Sequence, residues 1–143
     1  MIGIASDHAG FEMKRVLMEY LTVSGYKVKD FGTFSPESMD YPDVAHPLAE
    51  SLAKGEIESG IGLCGTGNGI SMTLNKHREV RAALCWNEEL ASLARHHNNA
   101  NILTIPARFI TSDEAIRITA TFLKETFDGG RHQRRIEKIP CEQ

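Results

Sequence analysis

Cys64-Gly65-Thr66-Gly67-Asn68-Gly69 is the segment of this chain best equipped for chemistry. Three glycines in five positions let the backbone approach a ligand closely, because no Cβ intervenes. The segment follows an apolar run, Ile61 to Leu63, and precedes a stretch able to form a helix, Ile70 to Lys76. A strand, a glycine turn and a helix start gather backbone N–H groups toward an anion. Cys64 stands at the mouth of that turn, where a thiol can act as a proton carrier. Together these residues suggest anionic charge developing on a small substrate while a proton is moved.

Other residues suit the same task. Asp7-His8 follows the apolar run at the N-terminus, although Asp7 is equally a cap for the next helix. Asp40-Tyr41-Pro42 reads alone as an ordinary turn. Arg95-His96-His97-Asn98-Asn99 falls near the end of a helical pattern, a place that suits a proton donor and equally a plain helix terminus. Arg131 and Arg135 are four apart, so on a helix they share a face. With Arg108 they could clamp a phosphate, whose geometry guanidinium groups match; a solvated basic face is the common alternative.

Several familiar sites are excluded. A dinucleotide fingerprint needs G-x-G-x-x-G after the first strand, and here the glycines follow the third with another spacing. No G-x-x-x-x-G-K-[ST] is present. A phosphorelay receiver needs an aspartate after the third strand, where Cys64 stands. No H-E-x-x-H or Cys/His cluster appears, and adjacent histidines point about 100° apart on a helix, so no metal site is expected.

These residues must be positioned by alternating strands and helices. Strands are expected at Ile2–Ser6, Tyr26–Phe31, Gly60–Cys64, Val80–Cys85 and Asn101–Ile105. Helices are expected at Phe11–Val23, about Val44–Lys54 with Pro47 in its first turn, Ile70–Lys76, Glu88–His96 capped by Asn87, and Asp113–Phe127 closed by Gly129-Gly130. Such alternation predicts a parallel sheet covered on both faces, with ligands beyond the carboxyl ends of the strands. The last long helix carries a broad apolar surface, and a basic segment with Ile136 and Ile139 follows it. A terminal element covering a neighbouring subunit would explain both; a tail folded back on its own domain is the alternative.

With 143 residues, the chain is expected to form a single domain, 1–143, with residues 131–143 as a basic tail. Net charge is −3, from 16 basic and 19 acidic residues, which gives no reason to expect nucleic acid or an anionic membrane as partner. No apolar run reaches the roughly 18 residues of a membrane span. The opening Met1-Ile2-Gly3-Ile4-Ala5 reads as strand rather than signal peptide, and three cysteines read as thiols, so a cytoplasmic location is expected.

Ser6-Asp7-His8-Ala9-Gly10-Phe11, Asp40-Tyr41-Pro42-Asp43, Cys64 to Ile70, Asn75-Lys76, His97-Asn98, Asn101 and Gly129 to Gln133 jointly resemble the type B ribose-5-phosphate isomerases. Their relatives, the galactose-6-phosphate isomerase subunits and allose-6-phosphate isomerases, are similar as well. The resemblance covers essentially the whole chain. It implies a Rossmann-like three-layer α/β/α sandwich with a five-stranded parallel sheet and a C-terminal helical tail. It also implies homodimers or homotetramers with shared active sites, and no cofactor or metal. By this resemblance Cys64 is the base moving a proton between C2 and C1. Thr66 and His97 assist opening of the furanose ring, and the backbone of Gly65, Gly67, Asn68 and Gly69 holds the enediolate. His8, Arg108, Arg131 and Arg135 are phosphate ligands, while Asp7, Tyr41 and Asn98 contact the sugar. Pro106 stands where relatives often carry glycine. A six-carbon aldose phosphate is the alternative substrate. A non-catalytic phosphosugar-binding regulator is the alternative from another class, but binding alone would require neither Cys64 nor His97.

Overall fold

A computed structural model describes residues 1–141; the last two residues of the expected tail, 142 and 143, lie outside the described residues. Five strands run over Ile2–Ser6 (β1), Val28–Asp30 (β2), Ser59–Cys64 (β3), Ala82–Leu84 (β4) and Ile102–Pro106 (β5). Between and after them lie helices Phe11–Val23 (α1), Pro42–Ala53 (α2), Asn68–Leu74 (α3), Glu88–Asn98 (α4), Ser112–Lys124 (α5) and Arg131–Glu137 (α6). Every strand pair is parallel, in the order β2-β1-β3-β5-β4.

Both faces of the sheet are covered, so the central strands are continuously apolar rather than alternating. Leu17 and Leu21 of α1, Ala91 of α4 and Phe122 of α5 pack on one face. Ala45 and Leu48 of α2, with Ile70 and Leu74 of α3, pack on the other. Among the described residues, no helix is long and apolar enough to cross a membrane.

Several boundaries differ from the sequence expectation, for local reasons. β2 and β4 are shorter than expected because they are the edge strands and each pairs on one side only. Pro42 occupies the first position of α2, where its missing N–H costs nothing. Pro47 therefore lies inside the helix rather than in its first turn, and leaves the carbonyl of Asp43 without its usual donor. Asn87 does cap α4, accepting from the Leu90 N–H at 2.8 Å, but the helix continues through His97 and Asn98. α5 stops at Lys124, and Glu125 is extended. Gly129-Gly130 thus closes a link, residues 125–130, that leads into α6.

The broad apolar surface of α5 is used within the protomer, because α5 packs against both α1 and α4. The tail, too, folds back on its own domain: α6 packs against α4, Ile136 is buried, and Arg78 donates to the Cys141 carbonyl at 2.8 Å. Ile139 stays 58% exposed.

Candidate active site

Strand order reverses between β1 and β3: the chain leaves β1 toward β2, then returns to place β3 on the other side. At such a switch point the loops after the two strands diverge and leave a crevice at their carboxyl ends. Asp7-His8 and Cys64-Gly65 are the residues emerging there. The two strand ends are tied together, since the Asp7 N–H donates to the Leu63 carbonyl at 3.1 Å. Asp7 is also the expected cap. It is buried, and its carboxylate accepts from the N–H groups of Ala9 and Gly10 at 2.9 and 3.2 Å, opening a single 3-10 turn before α1. His8 accepts through Nδ1 from the Met39 N–H at 3.2 Å, which fastens the loop leading to Tyr41 over this edge.

The glycine turn makes the floor. Gly67 has φ +77°, a left-handed conformation open to glycine at no steric cost, and it begins α3. Thr66 is exposed, and its hydroxyl accepts from the Asn68 N–H at 3.2 Å. Tyr41 lies directly against Gly69: a Cβ there would strike its ring, 2.6 Å from the hydroxyl oxygen. Arg108 lies over Gly65, where a Cβ would stand 3.2 Å from Nη1. Backbone bonds fix that approach, with the Ala107 N–H donating to the Cys64 carbonyl at 2.9 Å and the Arg108 N–H to the Gly65 carbonyl at 3.0 Å. Pro106 pairs in register with Cys64, and the loop after it is joined to the turn by those two bonds. An adjacent cleft of about 380 Å³ is walled by Thr66, Asn68, Trp86 and Phe109, the last two largely exposed.

Cys64 is 4% exposed, and burial alone would suit a core thiol. Its place distinguishes it from Cys85, which burial pushes up to about 12. Cys85 meets no glycine turn.

His97 and Asn98 stand elsewhere. In a parallel sheet each helix runs back against the strands, so the end of α4 reaches the amino edge where β5 begins. The five residues of β5 separate the two edges by roughly 16 Å. At this second edge His97, Asn98, His132, Arg135, Ile136 and Ile139 line a cleft of about 410 Å³. Arg131 sits one turn before Arg135 on α6, as their spacing predicts, but does not line that cleft. His132 stacks on His97 with ring centroids 4.4 Å apart and planes 12° from parallel. Partial desolvation, together with the positive charge of His97, Arg131 and Arg135, pushes the His132 pKa down.

Of the expected site residues, one chain therefore gathers Asp7, His8, Tyr41, Cys64, Gly65, Thr66, Gly67, Asn68, Gly69 and Arg108 at the carboxyl edge. His97, Asn98, Arg131 and Arg135 belong to the opposite edge. Among the described residues, His97, Asp128 and His132 are the group whose ligand atoms come together, within 4.8 Å of one another. Parallel stacked imidazoles direct their lone pairs side by side rather than at one point. Arg131 and Arg135, which act on His132 from the same short helix, also favour an anion there, so the group does not fit a metal.

Sequence reasoning missed two positions. Lys14 looks like a surface lysine of α1, yet it is 1% exposed and donates to Asp30 at 2.5 Å and to the Thr33 carbonyl at 2.6 Å. It pins the start of the loop that carries Tyr41. Helical periodicity was the available signal, since Lys14 falls beside Met13 and Leu17 on the buried face. His132 was visible as part of a basic run and of the Gly129 to Gln133 segment, but with no role attached.

Comparison with known proteins gives the family. The sequence profile of the Ribose/Galactose Isomerase family matches residues 2–139. The probable ribose-5-phosphate isomerase B of Mycoplasma genitalium is 46% identical over 140 residues, 96% of this chain and 92% of that protein. The ribose-5-phosphate isomerase B of Escherichia coli is 40% identical over 138 residues, 96% and 93% of the two chains. A crystal structure of the Thermotoga maritima ribose 5-phosphate isomerase superposes with TM-score 0.96 at 52% identity, over 97% of this chain and 96% of that one. The Mycoplasma genitalium enzyme with bound ribulose-5-phosphate gives 0.93 at 46% identity, over 96% and 92%. The fold, the spacing of the site residues and the match along nearly the whole chain have one explanation: this protein belongs to the Ribose/Galactose Isomerase family.

Proposed function

We propose that this protein is an aldose–ketose isomerase that interconverts ribose 5-phosphate and ribulose 5-phosphate in the pentose phosphate pathway, with Cys64 as the base. The observation that carries the reading is the carboxyl-edge constellation: a thiol at the end of β3, a glycine turn, Tyr41 against Gly69 and Arg108 over Gly65. A proton transfer needs a base and preorganised dipoles for the charge that develops, and this edge offers both.

The steps balance within the substrate. Thr66 and His97 move the protons that open the furanose. The Cys64 thiolate takes the proton from C2, whose electron pair forms the C1–C2 double bond while negative charge passes to O1. N–H groups of the Gly65–Gly69 turn hold that enediolate. The thiol returns its proton to C1, the proton of the C2 hydroxyl passes to O1, and C2 becomes the carbonyl. No electron leaves the sugar, so no redox cofactor is required. His8, Arg108, Arg131 and Arg135 hold the phosphate, whose binding orients the reacting carbons; Asp7, Tyr41 and Asn98 contact the sugar hydroxyls. Free thiols at Cys64, Cys85 and Cys141 suit the cytoplasm.

Cys64 and His97 lie at opposite edges of one sheet, so each site is shared: the carboxyl edge of one protomer receives the amino edge of a second. Exposed Trp86, Phe109 and Met72 around the first edge are the apolar surface available to that contact. Complementation tests both the chemistry and the sharing. Cys64→Ala and His97→Asn should each lose nearly all isomerisation of ribose 5-phosphate. Their mixed oligomer should recover about a quarter of wild-type activity, because about half of randomly assorted dimers hold one intact site of two. Confirmed mixed oligomers without recovery would sink the shared site. Preferential turnover of allose 6-phosphate or galactose 6-phosphate would move the reading to a six-carbon substrate.

A further inference from the structure

His96 is not among the residues assigned to the reaction, yet it is the most heavily engaged histidine of the described chain. Its Nδ1 lies 2.7 Å from Asp128 Oδ1 and its Nε2 lies 2.9 Å from Glu125 Oε2. A neutral imidazole has one donor and one acceptor, so it can satisfy only one carboxylate; two carboxylates require both N–H groups. The pair of acids accordingly holds the ring as a cation, raising its pKa, with Asp128 the stronger influence.

Both acids belong to the link between α5 and α6, residues 125–130. The link forms no helix or strand, so its backbone groups need partners elsewhere. Two of them are found on the last turn of α4 and its flank. The Asp128 N–H donates to the His96 carbonyl at 3.0 Å, and Arg95 Nε donates to the Glu125 carbonyl at 3.3 Å. Arg95 itself is anchored by the Ala100 carbonyl at 2.5 Å. On one side of this fastening the next residue is His97. On the other side, three residues beyond Asp128, α6 begins with Arg131 and His132. His132 then closes the loop by stacking on His97.

We propose that His96 is a positioning residue: by gripping Glu125 and Asp128 at once, it sets α6, with Arg131 and Arg135, at a fixed distance from His97. This rests on the reading of His97, Arg131 and Arg135 as substrate groups. His96 and Glu125 keep about a quarter of their side-chain surface in solvent and Asp128 about half, so water screens the ion pairs. The grip is therefore a modest stabiliser, and its effect falls on placement. A phosphate anchor displaced relative to the reacting carbons weakens binding and orientation far more than it weakens the fold.

The test is His96→Gln in the full-length protein, with His96→Arg as rescue, because a guanidinium can again bridge two carboxylates. His96→Gln should raise KM for ribose 5-phosphate about tenfold while kcat stays within about threefold. Amide hydrogen exchange across residues 125–132 should accelerate, and His96→Arg should recover most of both losses. Unchanged exchange would show that His96 does not fasten the link. Accelerated exchange with KM within about twofold of wild type would leave a structural tether and overturn the positioning role. Arg135→Ala, measured alongside, separates the two failures. If it too leaves KM unchanged, the phosphate reading falls and the positioning role with it.

Discussion

The two edges of the sheet are built from different materials. At the carboxyl edge the working surface is mostly backbone: the Gly65–Gly69 turn, held by the Ala107 and Arg108 amides and roofed by Tyr41 and Arg108. At the amino edge it is side chains on helix ends: His97 and Asn98 on α4, His132 and Arg135 on α6, with His97 and His132 stacked and the link before α6 ion-paired to His96. A backbone surface is set by the sheet and has no rotamers to order. A side-chain surface can move with its helix, which would suit the part that, on the shared-site reading, meets a second protomer. The first should fail through shape and the second through charge.

The largest expected effect comes from breaking the backbone surface. Gly67→Ala adds a methyl group at φ +77° that collides with Leu84 and crowds the carbonyl carbon of Ile105 at 3.3 Å. Left-handed strain of roughly 1–3 kcal/mol adds to the collision. Thermal denaturation should show a drop of several degrees, and, on the proposed reading of the turn, kcat should fall on the order of a hundredfold because the turn would shift under the reacting atoms. A soluble variant with wild-type kcat would mean that turn geometry is not catalytic.

Breaking the charged edge should act on binding instead. Arg135→Ala should raise KM for ribose 5-phosphate about tenfold or more, and inorganic phosphate should compete less well with substrate than in the wild type. Loss of thermal stability with unchanged phosphate competition would make α6 a covering element only.

The smallest effect concerns pH and sharpens the contrast. His96 has a raised folded value, so its stabilisation is fully present below its unfolded value of about 6.5 and is lost as pH rises through the raised one. The groups that face it are Asp128 and Glu125 on the link; Arg95 and His97 flank it in sequence on α4, while Arg131 and Arg135 of α6 act on His132. His132 works the other way: its lowered folded value removes stability as pH falls through its unfolded value. The melting temperature of wild type should exceed that of His96→Gln by a few degrees near pH 6, and the gap should close toward pH 9. A gap independent of pH would remove the charged grip.

The carboxyl edge was legible in the sequence because its signals are local. Cys64, three glycines and the end of a strand are contiguous, and the alternation of elements says which strand ends matter. The five strands and helices α1 to α5 were found within a few residues for the same reason. The amino edge was less legible. His97 was readable as the end of a helix, but which edge that end reaches depends on helices running back against the strands. His96 lies 29 residues from Glu125 and 32 from Asp128, and nothing in periodicity announces such a meeting. The breadth of α5 has a use inside the protomer that patterning does not show, because a helix flanked by two others needs apolar surface on three sides and one-dimensional patterning does not count neighbours.

The separation of Cys64 from His97 across the sheet has a consequence in mass action. On the shared-site reading, a lone protomer carries every part of the machinery and no working centre. Turnover per molecule then falls with dilution, as the assembled fraction falls, although each chain remains folded. One defective copy in a mixed population disables contacts on its partner as well as its own. On that reading, the length of a five-residue strand makes the cell's supply of this chain, and not only its substrate, a variable in the rate.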